Sequence, residues 1–483
     1  MKIKRFAIVW LLLLSLLIYL AACGGSVVPT AEEPAAEAPT AAEAPAEEVV
    51  EVTRVVTEAV EAPAAEEAAV EEEAAAVEEA AEVVDLGQEA TGSERGGDQI
   101  EPPSNGPKVD APRQQTAVLA TTNTTDQPRA ETEPPPAPLP AANVNPLTAG
   151  EIDDNAQWAA YLAYLASYTA NDVVRLDVSQ RHELVVVDGA ERPLLGVELT
   201  IQANGQEITR LKTGSNGRST FYPRPFNAQS PTYTVTATAA DGSRQTITAS
   251  GSETQWRVVI PNASQPAAAQ LDVLLLLDAT GSMADELDEL KSNIRAIASQ
   301  IAALPGRPNV QWSLVAYRDR DEPLVAQIAP FSTDLNTFAA ALDGVEAAGG
   351  GDYAEDVQGA LALALEQFAE QNGRQAVKLV FLVADAPPHL DYTDQPSYAE
   401  LLPQAAALGV KIYPLASSGL DAQGAYIFRQ WAQWTNGRFL FLTNDANGST
   451  SAAPSVTSSG VAYTVGNLDT LILNIIRKEL SGL

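Results

Sequence analysis

The residues whose types and spacing suggest chemistry lie in one short stretch, where Asp278, Thr280 and Ser282 are spaced D-x-T-x-S. They follow an apolar run, Val273 to Leu277, which is too short to cross a membrane and is typical of a fully buried strand. Apolar residues then recur at helical spacing as far as Ile301. An acid and two hydroxyls are thus predicted where a buried parallel strand meets a helix N-terminus, which is where ligands bind in open α/β sheets.

Carboxylate and hydroxyl oxygens are hard donors, so this triplet favours Mg²⁺, Mn²⁺ or Ca²⁺ and would not select zinc. Because two of the three donors are neutral, they compensate the charge of the ion only in part. We therefore expect the ion to take an anionic oxygen from outside, typically a carboxylate of a partner protein. The alternative is structural, with an aspartate and a serine that cap a helix after a core strand.

The triplet resembles the metal-ion-dependent adhesion site (MIDAS) of the von Willebrand factor A (vWA) family, D-x-S-x-S, with Thr280 in place of the first serine. Two later loops, G-G-G-D-x-x-E with Asp352 and D-A-P-P-H with Asp385, extend the resemblance to one vWA subgroup. It implies that Asp385 holds the ion through water, and that Asp352 stands where the family usually presents a threonine. A direct bond from Asp352 would hold the ion more tightly and reduce its need for an external acid.

Two more residues are candidates for outer positions around the ion. Asp319 ends a strand at the same edge of the sheet; it accepts a hydrogen bond from a group bound to the ion, caps a helix or forms a salt bridge with Arg318 or Arg320. His389 either bonds a metal-bound water or stabilises the turn that follows two prolines.

Residues 1–22 combine basic residues, an apolar run and small residues, which is the pattern of a secretory signal peptide. The segment ends in L-A-A-C and resembles the lipobox of bacterial lipoproteins, which implies that Cys23 carries lipid. An ordinary signal peptide with a chance cysteine is the alternative. We expect an exported protein, lipid-anchored to the bacterial cell membrane or outer membrane and facing outside the cytoplasm. Cys23 is the only cysteine, so no intramolecular disulfide can form.

Residues 23–146 are rich in Ala, Glu and Pro and hold most of the net charge of −34. Such a composition buries too little apolar surface to fold, which predicts a disordered tether. A wall- or polymer-binding segment is the alternative. The acidic balance argues against nucleic acid as a partner.

Two folded segments are expected next. Residues 147–171 predict an amphipathic helix capped by Asp153 or Asp154 and packed on the following domain. Residues 172–262 alternate apolar and polar residues between turn signals, which predicts a β-sandwich of seven strands, the first being V-V-R-L-D-V-S-Q. The sandwich resembles transthyretin-like or carboxypeptidase-regulatory-like domains, and His182 is expected to be exposed on one of its strands.

Residues 268–483 alternate strands and helices in the manner of a doubly wound α/β fold with a mostly parallel sheet, including a helix over Ala354–Glu370. This is the Rossmann-like architecture that the vWA resemblance implies. The predicted fold class is therefore α/β, preceded by an all-β sandwich and a long acidic tether.

These features predict a cell-surface lipoprotein that presents a MIDAS-type binding or adhesion module, which engages an envelope or extracellular protein through an acidic residue. The alternative is an envelope scaffold in which the metal only stabilises the vWA loops and the sandwich makes the contacts. No enzymatic activity is predicted, because the chain lacks H-E-x-x-H and G-x-S-x-G motifs and no basic cluster is placed to receive a phosphate.

Overall fold

The computed structural model describes residues 116–118, 147–265, 269–304, 308–320, 322, 324–371, 373–443 and 461–482. The predicted signal peptide, Cys23 and most of the predicted tether lie outside the described residues. None of the helices in the described part of the chain combines the length and the apolar character needed to span a bilayer.

The strands and helices are numbered in chain order. The strands are β1 (Thr116–Val118), β2 (Thr148–Ile152), β3 (His182–Asp188), β4 (Glu198–Ala203), β5 (Gln206–Lys212), β6 (Arg218–Phe221), β7 (Thr232–Thr238), β8 (Arg244–Ser250), β9 (Gln255–Ile260), β10 (Gln270–Asp278), β11 (Asn309–Tyr317), β12 (Ala326–Ser332), β13 (Val377–Ala384), β14 (Val410–Ala416), β15 (Phe439–Thr443) and β16 (Thr464–Asn467). The helices are α1 (Trp158–Ser167), α2 (Ala284–Ala302), α3 (Leu335–Asp343), α4 (Val357–Glu370), α5 (Tyr398–Leu408), α6 (Ala422–Trp434) and α7 (Leu468–Leu480).

A large mixed sheet, with strand order β1-β12-β11-β10-β13-β14-β15-β2-β16, forms the centre of the α/β part. Its five central strands, from β11 to β15 in that order, are parallel, whereas β12 joins β11, and β2 joins β15 and β16, in antiparallel fashion. Helices α4, α5 and α6 cover one face, and α2, α3 and α7 cover the other. The predicted α/β class with a mostly parallel sheet is confirmed.

The central strands are buried on both faces, which explains their continuous apolar sequences. All residues of β13, and all but the first of β10, are buried. In the parallel register Asp278 pairs with Tyr317 on β11, and Leu277 pairs with Val383 on β13. The carboxyl ends of the three strands, and the loops that follow them, therefore meet at one edge of the sheet.

The all-β part consists of two small sheets, β6-β3-β9 and β5-β4-β7-β8, packed around a shared apolar core. Six of its seven strands match predicted ones. The predicted first strand, over 173–180, is wrong, because Gln430 on α6 binds the backbone of Val174 and Leu176 and holds the segment against the α/β part. The seventh strand is β6 instead.

His182 was expected to be exposed and is buried at 2%. Its ring stacks on Trp256 with the ring centres 4.3 Å apart, and its Nδ1 lies 2.7 Å from the carbonyl oxygen of Glu253. It is therefore an inward-facing residue of β3 that packs among aromatic side chains.

The segment predicted as a helix over 147–171 contains α1 but begins with a strand, β2, which lies between β15 and β16 of the large sheet. Its T-A-G-E-I sequence gives little strand signal because a glycine occupies the centre. That glycine is needed for close packing, since a Cβ on Gly150 would lie 2.1 Å from the Phe441 ring. Residues Thr116–Val118, inside the predicted tether, pair in parallel with β12.

A buried ion pair joins this N-terminal segment to α6. Asp154, one of the two aspartates expected to cap α1, instead forms two hydrogen bonds with the guanidinium of Arg429, at 2.9 Å and 2.5 Å. The exposed fractions of the two side chains are 2% and 0%, and the guanidinium lies 3.6 Å from the centre of the Tyr164 ring. The face of α1 that carries Tyr164 is therefore an interface with α6.

Replacing Asp154 by alanine is expected to lower the free energy of unfolding by about 3–5 kcal/mol, because the buried Arg429 charge loses its partner. Urea denaturation measures the loss. The matched control is Arg224→Ala, which removes a solvent-exposed pair with Asp177 and should cost no more than about 1 kcal/mol. Equal losses in the two variants would contradict a structural role for the buried pair.

Candidate metal centre

Three loops meet at the carboxyl edge of the large sheet. The first runs from Asp278 to Ser282 after β10, and the second, 344–356, connects α3 to α4. The third begins at Asp385 after β13 and continues to His389. These loops contain all seven residues predicted around the metal except Asp319, which follows β11 at the same edge.

The D-x-T-x-S stretch forms a compact hydrogen-bonded turn. Oδ1 of Asp278 accepts hydrogen bonds from the backbone N–H of Thr280, at 2.9 Å, and from its hydroxyl, at 2.7 Å. The Tyr317 hydroxyl donates to Oδ2 of Asp278 at 3.2 Å, and the hydroxyls of Thr280 and Ser282 lie 3.2 Å apart. Asp278 and Thr280 are fully buried, whereas Ser282 is exposed. The turn therefore leads from a buried acid to an exposed serine.

The glycine loop is attached to this turn through its backbone. The N–H of Gly281 donates to the carbonyl of Gly349 at 3.0 Å, and the N–H of Ala348 donates to the carbonyl of Ala279 at 3.0 Å. Both Gly349 and Gly350 have positive φ, at 79° and 84°, which favours glycine. A Cβ on Gly281 would lie 2.7 Å from the Gly349 oxygen. The glycines thus let two backbone segments approach closely enough to fix the loop.

Glu355 is a site residue that was not predicted from the sequence. It was assigned to a helix over Ala354–Glu370, but α4 begins only at Val357, because Asp356 caps it by accepting a hydrogen bond from the Gly359 N–H. Glu355 instead forms a backbone bridge to the third loop: its N–H donates to the carbonyl of Pro387 and its carbonyl accepts from the N–H of His389. The glutamate of the quoted G-G-G-D-x-x-E motif was the available signal.

The carboxyl groups at this edge are buried close to one another. Burial, followed by the charge of Asp385, raises the pKa of Asp278 to about 7, against the hydrogen bonds from Thr280 and Tyr317. Burial, followed by Asp278 and three further aspartates, raises the pKa of Glu355 to about 9. Burial also raises the pKa of Asp385, against an interaction with the Ser282 side chain. Burial is the largest cause of each shift, and neighbouring carboxylates add to it for Asp278 and Glu355.

Asp352 lies with the two outer candidates. Its side chain is 65% exposed, and its Oδ1 is 3.5 Å from Nε2 of His389. Oδ2 of Asp319 is 3.9 Å from the same nitrogen. The structure thus forms one group from Asp278, Thr280, Ser282 and Asp385, and another from Asp319, Asp352 and His389. Glu355 interacts electrostatically with aspartates of both groups.

The contacts of Asp319 and His389 bear on the alternative roles that the sequence left open for them. Asp319 accepts a hydrogen bond from the Tyr392 hydroxyl at 2.8 Å, whereas Arg320 pairs with Asp356 and Asp394. Arg318 donates to two backbone carbonyls. His389 Nδ1 lies 2.9 Å from Oδ1 of Asp391.

The first group has the chemistry of a site for a hard divalent cation. Its donors are all oxygens, and a buried oxygen of Asp385 and one of Glu355 have no hydrogen-bond partner in the described part of the chain. Buried polar atoms without partners are uncommon in proteins, and an ion satisfies them. Direct ligation by these residues stays a prediction.

Comparison with known proteins agrees with this architecture. Residues 272–418 match the family model for the von Willebrand factor A domain. The chain contains a vWA domain. Domains of this family often bind a divalent metal, and the matched range includes every residue named in the site.

Similarity to individual proteins is distant. Over 159 residues the chain is 26% identical to the "Alpha-protein kinase vwkA" of Dictyostelium discoideum. The aligned region covers 33% of this chain and 25% of that protein. The chain thus spans a quarter of the length of this curated relative. Among solved structures, the open conformation of the pilus adhesin SpaC from Lactobacillus rhamnosus GG aligns with 52% of this chain and 32% of its own, at 11% identity and a TM-score of 0.30.

The raised pKa values predict how the metal-free protein responds to pH. In the folded protein the pKa of Asp278 is about 7 and that of Glu355 about 9, against ordinary values of 3.8 and 4.5. The folded state therefore binds these protons more tightly, and their stabilising contribution is lost as the pH rises through the folded pKa values. In EDTA, wild type should lose more unfolding free energy between pH 5 and about 9 than Glu355→Gln does, as measured by urea denaturation at each pH. Identical pH profiles would contradict the burial of a protonated Glu355.

Proposed function

We propose that the vWA domain is a divalent-cation-dependent protein-binding module, whose ion takes its last oxygen ligand from a carboxylate of an envelope or extracellular partner. In this proposal Asp278, Thr280, Ser282 and Asp385 hold the ion, and Glu355 joins them. Mg²⁺ is the expected ion, with Mn²⁺ or Ca²⁺ as substitutes, because all of these donors are oxygens.

The observation that carries the proposal is the pairing of buried carboxylate oxygens on Asp385 and Glu355, which have no partner among the described residues, with Ser282, an exposed residue. The buried acids supply charge to hold an ion, and the exposed end leaves it open to a ligand from solution. Without the ion, this acidic surface would repel a carboxylate. Partner binding should therefore require the metal.

An aromatic side chain at the rim supports a protein partner. Tyr353 follows Asp352 and is 46% exposed, which among the described residues is unusual for a large hydrophobic side chain. Its hydroxyl donates to the Gly419 carbonyl at 2.8 Å and accepts from the Asp421 N–H at 2.8 Å. A rigidly held, exposed tyrosine is a frequent anchor in protein interfaces. We propose a binding role for it, with no catalytic function at the site.

Capture of partners from envelope extract by the purified full-length chain tests this function. Proteins captured in Mg²⁺ should be released by EDTA and should not be captured by Ser282→Ala, which removes an exposed ligand without disturbing the core. Tyr353→Ala should weaken capture while leaving the metal bound, and Arg224→Ala, on the sandwich side, should capture normally. Capture that persists unchanged in EDTA would favour the scaffold alternative, in which the metal stabilises loops and the sandwich makes the contacts.

We further propose that the module is exported and lipid-anchored through Cys23, with residues 23–146 as the tether. The support is the sequence pattern at residues 1–23. In a bacterial host, wild type should fractionate with membranes, and Cys23→Ala should remain unprocessed or become soluble. A fully processed Cys23→Ala form that still fractionates with membranes would contradict lipidation.

A further inference from the structure

A second group of metal-binding side chains lies beside the first. Asp319, Asp352 and His389 each offer one ligand atom, and these three atoms lie within 4.8 Å of one another. Ligands of a common ion, each about 2.0–2.6 Å from it, are at most about 5 Å apart. The three atoms therefore have the spacing of ligands to one ion.

The orientation of His389 points to such an ion. Its Nδ1 lies 2.9 Å from the Asp391 carboxylate, and its Nε2 is buried without a hydrogen-bond partner in the described part of the chain. Nε2 faces Asp352 and Asp319 at 3.5 Å and 3.9 Å, which is too long for hydrogen bonds. Histidines that bind metals characteristically donate their other ring N–H to a carboxylate, as Nδ1 can do in this loop. The side chain is nine-tenths buried, with 10% exposed.

The neighbouring side chains fix the group in place. Tyr392 stacks on the His389 ring with the centres 4.2 Å apart, and its hydroxyl donates to Oδ1 of Asp319, which leaves Oδ2 facing the histidine. The guanidinium of Arg320 lies over Tyr392 but pairs with Asp356 and Asp394. In the described part of the chain, no lysine or arginine pairs with Asp319 or Asp352.

We propose that Asp319, Asp352 and His389 bind a second divalent cation, of the Mn²⁺ or Zn²⁺ class, beside the ion of the vWA site. The imidazole nitrogen favours these metals over Mg²⁺ and Ca²⁺, which prefer oxygen donors. Asp319 and His389 form the buried side of the site, and the exposed Asp352 gives the ion a path from solution.

Metal counting on the purified full-length chain separates the two sites. Equilibrium dialysis against Mn²⁺ should load two ions per chain, whereas dialysis against Mg²⁺ should load one. His389→Gln should hold one ion in either metal. Ser282→Ala should hold one ion in Mn²⁺ and none in Mg²⁺. The control Asp394→Asn, an exposed aspartate outside the group, should hold two Mn²⁺ ions.

Spectroscopy gives a second readout. The electron paramagnetic resonance spectrum of the doubly loaded wild type should show broadening from two neighbouring Mn²⁺ ions, which His389→Gln should abolish. If His389→Gln fails to fold by circular dichroism, Asp352→Asn, with an exposed side chain, takes its place.

A wild-type chain that loads a single Mn²⁺ and keeps it in His389→Gln, or a His389→Gln chain that still loads two, would overturn the second site. The inference does not depend on the proposed binding function. A single Mn²⁺ that is lost in His389→Gln but retained in Ser282→Ala would refute the first ion and leave the His389 group as the metal site.

Discussion

The repulsion between carboxylates that the backbone holds together is the constraint on which the site depends. Asp278 and Asp385 end adjacent parallel strands, and the bridge from Glu355 to Pro388 brings a third acid to the same place. Two charges 4 Å apart repel by about 1 kcal/mol in water and by several times more near a protein surface. Either protons or a cation must relieve this repulsion. The raised pKa values of Asp278 and Glu355 indicate that protons can relieve it. A metal ion would compete with these protons for the same carboxylates.

Helix α6 connects this edge to the rest of the molecule. Its cap, Asp421, bonds the Tyr353 hydroxyl at the rim of the site, and Arg429 in its middle pairs with Asp154. Near its end, Trp434 packs on Tyr222 from the sandwich with the ring centres 4.9 Å apart. One buried helix thus contacts the candidate binding surface, the N-terminal segment and the sandwich. The position of Tyr353 is therefore fixed by the same element that fixes the sandwich.

The sequence pattern of a single segment was sufficient to predict the structure where the surroundings of a residue depend on that segment alone. The apolar runs of β10 and β13 predicted buried parallel strands, and the vWA resemblance then implied that Asp278 and Asp385 would meet. Contacts between distant segments were not predictable in this way. Gly150 weakens the strand signal of its own segment. The reason for a glycine at this position is the ring of Phe441, far along the chain, which leaves no room for a Cβ. Glu355 looked helical, and only its bridge to Pro388 shows that it belongs to the site.

Strand β2 has a mechanical consequence. It precedes the sandwich in the chain but lies in the large sheet, bonded on one side to β15 and on the other to β16. Tension that reaches Thr148 from its N-terminal side therefore acts on two antiparallel ladders, whose hydrogen bonds run across the strand and share the force. The sandwich follows β2 in the chain and therefore experiences no tension until β2 is pulled out of the large sheet. A chain held from its N-terminal side and loaded at the site edge would thus transmit force through the large sheet, with the sandwich bypassed.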